Sequence, residues 1–310
     1  MAEIHQFSFT SCNGKNEINS MTWLPDSEPK AIIQIAHGVA EHILRYNDFA
    51  EFLTHHGFIV VANDHLGHGH SVSDASELGY FGESGGWEMV VGDMRKLFEI
   101  TTGKYPNLPF FLFGHSMGSF LSRTYIIRYR SGLDGVILSG TGQQPLPMVE
   151  AGRLIAAAEI KLHGAAYKSA RLNDICFGGY NRAFSPVRTL SDWISRDEAQ
   201  VDKYIEDPLC GYIPSAGLFR DMLGGIDYIS RQRNMSRMKK DLPVFFISGD
   251  HDPVGEFGKG VMRAYSGFLK AGMTDVSLKL YHECRHELLN ELNHLEVYDD
   301  ILNWLESKIN

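Results

Sequence analysis

The stretch PFFLFGHSMGSF, Pro109 to Phe120, narrows the folds open to this chain more than any other. FFLF is a run suited to a buried strand. The segment FLSRTYIIRY that follows has helical spacing. Between them stands Gly114-His115-Ser116-Met117-Gly118, which fits G-x-S-x-G. That pattern places a serine on a sharp strand-to-helix turn that projects its hydroxyl outward. Glycines on either side remove Cβ atoms that would clash in the bend. The helix N-terminus beyond favours negative charge nearby. Ser116 is therefore a candidate nucleophile, and an ordinary tight turn is the competing reading.

The surrounding pattern supplies the context that such a turn requires. HQFSFT and EINSMTW alternate like a half-exposed antiparallel pair. AIIQIAHG and FIVVAND read as strands covered on both faces. Helical spacing joins them through Tyr46, Phe49, Phe52 and Leu53. GWEMVVGDMRKLFEITTGKYP reads as a helix ended by Gly103 and Pro106, and GVILSG as a further buried strand. Helical spacing then dominates in MVEAGRLIAAAEIKL, SDWISRDEAQVDKYI and SAGLFRDMLGGIDYI. PVFFISGD, a helix around GVMRAYSGFLKAG, VSLKLY and a closing helix from about Leu288 to Ile309 complete the chain. Alternating β and α implies a mostly parallel sheet with right-handed crossovers. The expected organisation is an α/β core over 1–142 and 241–310, with an inserted helical cap over 143–240. A cap is expected to sit over the carboxyl ends of the strands, where such sheets bind ligands.

A serine hydroxyl needs a base to take its proton. In this kind of fold the order is Ser, then Asp or Glu, then His. The acid should follow a late strand, and VFFISGDHDPVG offers Asp250 and Asp252, which spacing alone does not separate. The histidine should lie on the loop after the last strand. Of His282 and His286, the second sits just before an apolar-periodic segment and is better placed to reach Ser116. An oxyanion hole should combine the amide of Met117 with one from the turn after an early strand, AHGVAEH, where Val39 is the candidate.

Composition closes off other classes. A formal net charge of −9 argues against a nucleic-acid partner. The four cysteines, Cys12, Cys176, Cys210 and Cys284, are scattered and form no C-x-x-C pair, so metal and redox readings are weak. Few cysteines in a chain of 310 residues points to a reducing compartment. The start MAEIHQFSFT has no basic segment followed by an apolar run, and no apolar run nears the ~20 residues that span a bilayer. The expectation is a soluble, cytoplasmic protein of undetermined oligomeric state.

Together, AHGVAEHILRY, ANDHLGHGHS, FLFGHSMGS, SGDHDPVG and ECRHELLNE resemble the monoacylglycerol lipase and lysophospholipase branch of the α/β-hydrolases. The resemblance covers nearly the whole chain. It implies an α/β-hydrolase fold and a Ser116–Asp252–His286 triad. Its Gly-x-x-Asp segment falls on Gly249 to Asp252, which favours Asp252 over Asp250. It further implies an oxyanion hole of Val39 and Met117, and a structural loop over Asp64 to Ser71. Head-group contacts are implied at Glu41, Arg45 and His115. The expected activity is hydrolysis of monoacylglycerols or similar medium-chain esters through an acyl-enzyme, with no metal or organic cofactor. Alternatives are a lysophospholipase, a small-peptide or aryl-amide hydrolase, and a catalytically silent binding module. In the cap, Leu154, Ile155, Ala158 and Leu162 either pack, line an acyl tunnel or touch a membrane surface transiently.

Overall fold

The computed structural model describes residues 3–309. Residues 1, 2 and 310, which the expected core includes, lie outside the described residues. Eight strands form one sheet in the order β1-β2-β4-β3-β5-β6-β7-β8. They are β1 Glu3–Thr10, β2 Glu17–Leu24, β3 Ala31–Ala36, β4 Phe58–Asn63, β5 Phe110–His115, β6 Gly135–Ser139, β7 Val244–Gly249 and β8 Val276–Tyr281. β1 and β2 pair antiparallel, and β2 runs antiparallel to β4. From β4 through β3, β5, β6 and β7 to β8 every pairing is parallel.

Period-two alternation in the strands sends side chains to opposite faces. Ile32, Ile59, Phe110, Leu112, Val136 and Phe246 enter one buried cluster. Ile33, Val60, Phe111, Phe113, Ile137 and Phe245 enter the other. Both faces are covered, which is why these strands read as continuous apolar runs. The β1–β2 pair is less symmetrical than expected. β1 is mostly exposed, whereas β2 is buried along most of its length between β1 and β4.

The helices are α1 Asn47–His55, α2 Gly86–Lys104, α3 Met117–Arg128, α4 Leu146–His163, α5 Ala170–Phe177, α6 Glu198–Glu206, α7 Ala216–Ser230, α8 Gln232–Met235, α9 Lys259–Lys270 and α10 His294–Glu306. Among the described residues, the chain between β6 and β7 contains no strand beyond an isolated Lys168–Ser215 bridge. α7 packs on α2, α3 and α4. No helix of the described residues is long and apolar enough to cross a membrane.

Two helix expectations differ from the structure. SDWISRDEAQVDKYI is broken. After a short turn at Asp192–Ile194, Ser195 is extended and Asp197 caps α6 by accepting from the amides of Ala199 and Gln200. The break is made by the core: Ser195 Oγ donates to Asn290 O (2.7 Å) and Arg196 pairs with Glu291 (2.9 Å). The closing helix starts at His294 rather than near Leu288. Leu288–Asn290 form only a 3₁₀ turn, because the buried Glu291 turns back to accept the Arg285 amide (2.7 Å).

The Asp64–Ser71 loop is a structural brace. The Asp64 carboxylate accepts from the amides of Ile43 (2.9 Å) and His70 (2.8 Å) and from Asn19 Nδ2 (2.9 Å). A Cβ on Gly69 would stand 2.3 Å from Asp64 Cγ, so that position closes only around glycine. The brace fixes the start of the segment after β3, which borders the candidate site.

Candidate active site

β5 delivers Ser116 to the carboxyl edge of the sheet, and α3 begins at the next residue. Ser116 is held at φ 52° and ψ −120°, a strained turn that a non-glycine residue keeps only when its surroundings impose it. The surroundings do so. Its amide donates to Ser139 O on β6 (2.9 Å). Its carbonyl accepts from the Ser119 amide (2.9 Å) and the Ser119 hydroxyl (2.6 Å). A Cβ on Gly118 would lie 1.9 Å from Ala36 O, and one on Gly114 would lie 2.4 Å from Ser122 Oγ. The two glycines let α3 press against the end of β3.

That contact brings the turn after β3 to the serine. A Cβ on Gly38 would stand 3.1 Å from Ser116 Cβ. The Gly38 amide donates to Glu41 Oε1 at 2.5 Å, and Ala40 adopts a left-handed φ of 55°. The Val39 amide donates to no protein acceptor among the described residues. The Met117 amide lies in the first turn of α3, where amides have no intrahelical acceptor.

β7 and the loop after β8 bring the acid and the imidazole together. A Cβ on Gly249 would stand 1.9 Å from Cys284 O, so the two loops meet only because residue 249 has no side chain. His286 Nδ1 donates to Asp252 Oδ2 at 3.0 Å, with both residues buried. The other Asp252 oxygen accepts the Val254 amide (2.8 Å). Burial alone would push the His286 pKa down. The Asp252 charge and hydrogen bond, aided by Glu287 and Glu41, outweigh it and hold the pKa above the ordinary value. The rings of His115 and Trp193 flank His286, with centroids 4.7 Å and 5.1 Å away. Burial, together with the charge of His286, lowers the His115 pKa to about 4.

Glu41, Arg45 and His115 line one tight crevice of about 10 Å³ together with Tyr46, Glu287, Leu289 and Asn290. Arg45 Nη1 donates to Glu41 Oε2 (2.8 Å) and Glu287 Oε1 (2.7 Å), and Nη2 donates to Glu287 Oε2 (2.6 Å). Burial disfavours the ionised Glu41, but Arg45 and the nearby His115 and His37 bring its pKa down to about 2. Tyr204, from the helical segment, covers the guanidinium at 4.8 Å. Sequence reasoning missed Glu287 and Tyr46. The only sequence signal for Glu287 is its place directly after His286.

One group of described residues has metal-ligand composition: His42, Asp207 and Cys210, whose ligand atoms lie within 4.8 Å of one another. His42 Nε2 already pairs with Asp207 Oδ2 at 2.8 Å, which ties the helical segment to the turn after β3.

This architecture has well-matched relatives. A family model described as serine aminopeptidase, S33, matches residues 27–293. A monoacylglycerol lipase of Mycolicibacterium smegmatis is 30% identical over 310 residues, covering 98% of each chain. A monoglyceride lipase of Rattus norvegicus is 29% identical over 290 residues, covering 93% of this chain and 86% of that protein. Among solved structures, a thermostable carboxyl esterase from Bacillus coagulans in complex with glycerol superposes with a TM-score of 0.93 at 29% identity, each chain covered in full. With a serine on a strand-to-helix elbow and a buried carboxylate–imidazole pair on the loops beyond later strands, the chain belongs to the serine aminopeptidase S33 family of α/β-hydrolases, in its monoacylglycerol lipase-like branch.

Proposed function

We propose that this protein is a serine carboxylester hydrolase that cleaves monoacylglycerols and similar medium-chain esters. The observation that carries the reading is the buried Asp252–His286 hydrogen bond of 3.0 Å together with a serine held at φ 52° on a strand-to-helix elbow. His286 takes the proton of Ser116, whose oxygen attacks the ester carbonyl. The tetrahedral oxyanion is received by the amides of Val39 and Met117. Each such donor lowers the barrier by roughly 2.7–4 kcal/mol. His286 then gives the proton to the departing alcohol. Water, activated by the same imidazole, releases the carboxylic acid. Asp252 holds Nδ1 protonated, so that Nε2 is the basic nitrogen, and it stabilises the imidazolium.

Two comparisons support the glycerol ester as substrate: the relatives named monoacylglycerol lipase, and the carboxyl esterase described with glycerol. Residues 143–240 serve as a cap over the site. Support comes from Trp193 against His286, Tyr204 against Arg45, and the Glu287 amide donating to Ile194 O (2.7 Å). The cap helix α4 also presents Leu154 and Leu162, each more than 70% exposed, for transient contact with a lipid surface. A cytoplasmic setting suits the four cysteines, which are all free thiols.

The test is a substrate panel: a monoacylglycerol, lysophosphatidylcholine, a short aryl ester and an aminoacyl amide, each with wild type and Ser116→Ala. Turnover should be greatest on the monoacylglycerol and lost in Ser116→Ala. Equal inactivity of the two proteins on every ester overturns the reading.

A further inference from the structure

Three side chains of coordinating chemistry meet outside the catalytic machinery, where the helical segment touches the turn after β3. His42 closes that turn, and Asp207 and Cys210 follow α6. One ligand atom from each lies within 4.8 Å of the others. His42 and Cys210 are only 4% and 8% exposed. Neither is fully used. His42 Nδ1 is buried with no hydrogen-bond partner. Among the described residues the Cys210 thiol makes no hydrogen bond. Asp207 and Cys210 are gathered by a tight turn: the Cys210 amide donates to Asp207 O (3.0 Å) and the Leu209 amide to Asp207 Oδ1 (2.8 Å). Oδ2 is left facing His42 Nε2 at 2.8 Å. The Asp207 side chain, 28% exposed, opens the cluster to solvent. His42 and Asp207 are 165 residues apart, so no sequence spacing announces the set.

A thiolate beside an imidazole and a carboxylate suits zinc, whereas magnesium and calcium take oxygen ligands. Neighbouring ligands around tetrahedral zinc stand roughly 3.3–3.6 Å apart, so a side-chain shift of about 1 Å closes the set. Thiolate and carboxylate together match the charge of a dication. The field of Arg45 reaches Cys210, but Glu41 and Glu287 both pair with that guanidinium and leave its surroundings net negative.

We infer that His42, Asp207 and Cys210 bind one zinc-class ion, which fastens the helical segment to the turn after β3. The Cys210 thiol releases its proton to solvent as the Zn–S bond forms. The ion replaces the proton that Nε2 shares with Asp207, and the ring keeps one proton on Nδ1. Nothing is oxidised or reduced. The fourth position is left to water. The Gly211 amide already donates to Ala40 O (3.0 Å) across the same boundary, and the ion reinforces that link.

Cobalt is the probe. Untagged, reduced, chelator-treated protein is titrated with Co²⁺. One ion per chain should enter, with a thiolate-to-cobalt charge-transfer band in the near ultraviolet. Zn²⁺ should displace it, and an equal concentration of Mg²⁺ should not. Cys210→Ser should lose the band and weaken uptake at least about tenfold. Cys12→Ser and Cys176→Ser should keep both. Asp207→Asn should weaken uptake and keep the band. In wild type, Zn²⁺ should slow hydrogen exchange of the amides over 207–211 at least about tenfold. That measurement decides the matter even where a variant fails to fold. The inference fails if about 100 μM Co²⁺ is not taken up. It fails if cobalt enters without a thiolate band, as it would at the exposed Asp250–His282 pair, or if the band survives in Cys210→Ser. Exchange that Zn²⁺ leaves unchanged also overturns it.

Discussion

Asp250 and His282 form a carboxylate–imidazole pair of 3.1 Å at the protein surface, two and four residues ahead in sequence of the buried Asp252 and His286. Asp250 Oδ1 also accepts the amide of Glu283 (2.7 Å), a residue at φ 58°. The two candidates that sequence spacing left beside Asp252 and His286 therefore find each other. They brace the loop that carries His286, and His282 stands 85% exposed to solvent.

Asp252→Asn should reduce kcat by roughly 10⁴, because the amide no longer enforces the productive imidazole tautomer. Asp250→Asn should stay near the wild-type rate, since an asparagine oxygen still accepts the Glu283 amide. Single-turnover and steady-state rates on an aryl ester check both. A large loss confined to the Asp250 variant would reverse the assignment.

The contrast marks what one-dimensional reading can and cannot reach. The Ser116 elbow is legible because its requirements are local: an apolar strand, two glycines, a helix. The parallel order from β3 to β8 is legible from the same alternation. Asp250 and Asp252 are not separable, since the difference lies in which side of the loop meets β8 and the segment after it. Glu287 was invisible because its partner Arg45 is 242 residues away. The break before α6 carries no local signal, because the interruption is imposed by Asn290 and Glu291, from the far end of the chain. The helical segment's packing stripe was also ambiguous. In α4, Val149, Gly152 and Ala156 face inward, which leaves Leu154 and Leu162 outside.

The rate should depend on pH through His286. The neutral imidazole is the active base, and Asp252 raises its pKa above the ordinary value of about 6.5 against the opposing effect of burial. Thus kcat/KM should rise with pH and level off only above that raised pKa. In the residual activity of Asp252→Asn the rising limb should move to lower pH. An unmoved limb would mean that another group controls it.

Gly140 follows β6 with φ 57°, and a Cβ there would stand 2.9 Å from His286 Cε1 and 3.1 Å from His115 Cε1. Gly140→Ala should cost about 1–2 kcal/mol of stability for the left-handed backbone. Its larger effect should be on rate: displacing the base by a fraction of an ångström to 1 Å lowers kcat by up to about 10². Urea titration alongside kcat separates the two. A variant with wild-type kcat would show that the ring has room to yield without consequence.

The exposed leucines of α4 make the lipid-surface contact testable. Leu154→Asp with Leu162→Asp should weaken co-sedimentation with phosphatidylcholine vesicles and slow hydrolysis of vesicle-borne monoacylglycerol. Turnover of a soluble aryl ester should hold. Equal vesicle binding by wild type and the double variant would remove α4 from the contact.

Acid should destabilise the fold through a second histidine cluster behind the site. His37, His65 and His68 are fully buried, with ring centroids 4.2 Å apart for His37–His65 and 5.2 Å for His37–His68. His37 Nδ1 donates to Gly38 O (2.7 Å) and Nε2 accepts the His65 amide (2.8 Å), an arrangement that needs the neutral ring. Burial lowers all three pKa values, that of His68 to about 3; neighbouring rings add to the effect at His65 and His68, and at His37 burial outweighs the opposing charges of Glu41 and Asp64. The unfolded chain binds these protons near pH 6.5 and the folded one does not. Their stabilising contribution is therefore present above pH 6.5 and is lost as the pH falls below it, by up to about 1.4 kcal/mol per pH unit for each ring. Urea midpoints measured from pH 7.5 to 5 should decline, and the decline should be shallower in His68→Gln than in the exposed control His282→Gln. Midpoints that stay flat below pH 6.5 in the wild type would show that these rings do not stay neutral through folding.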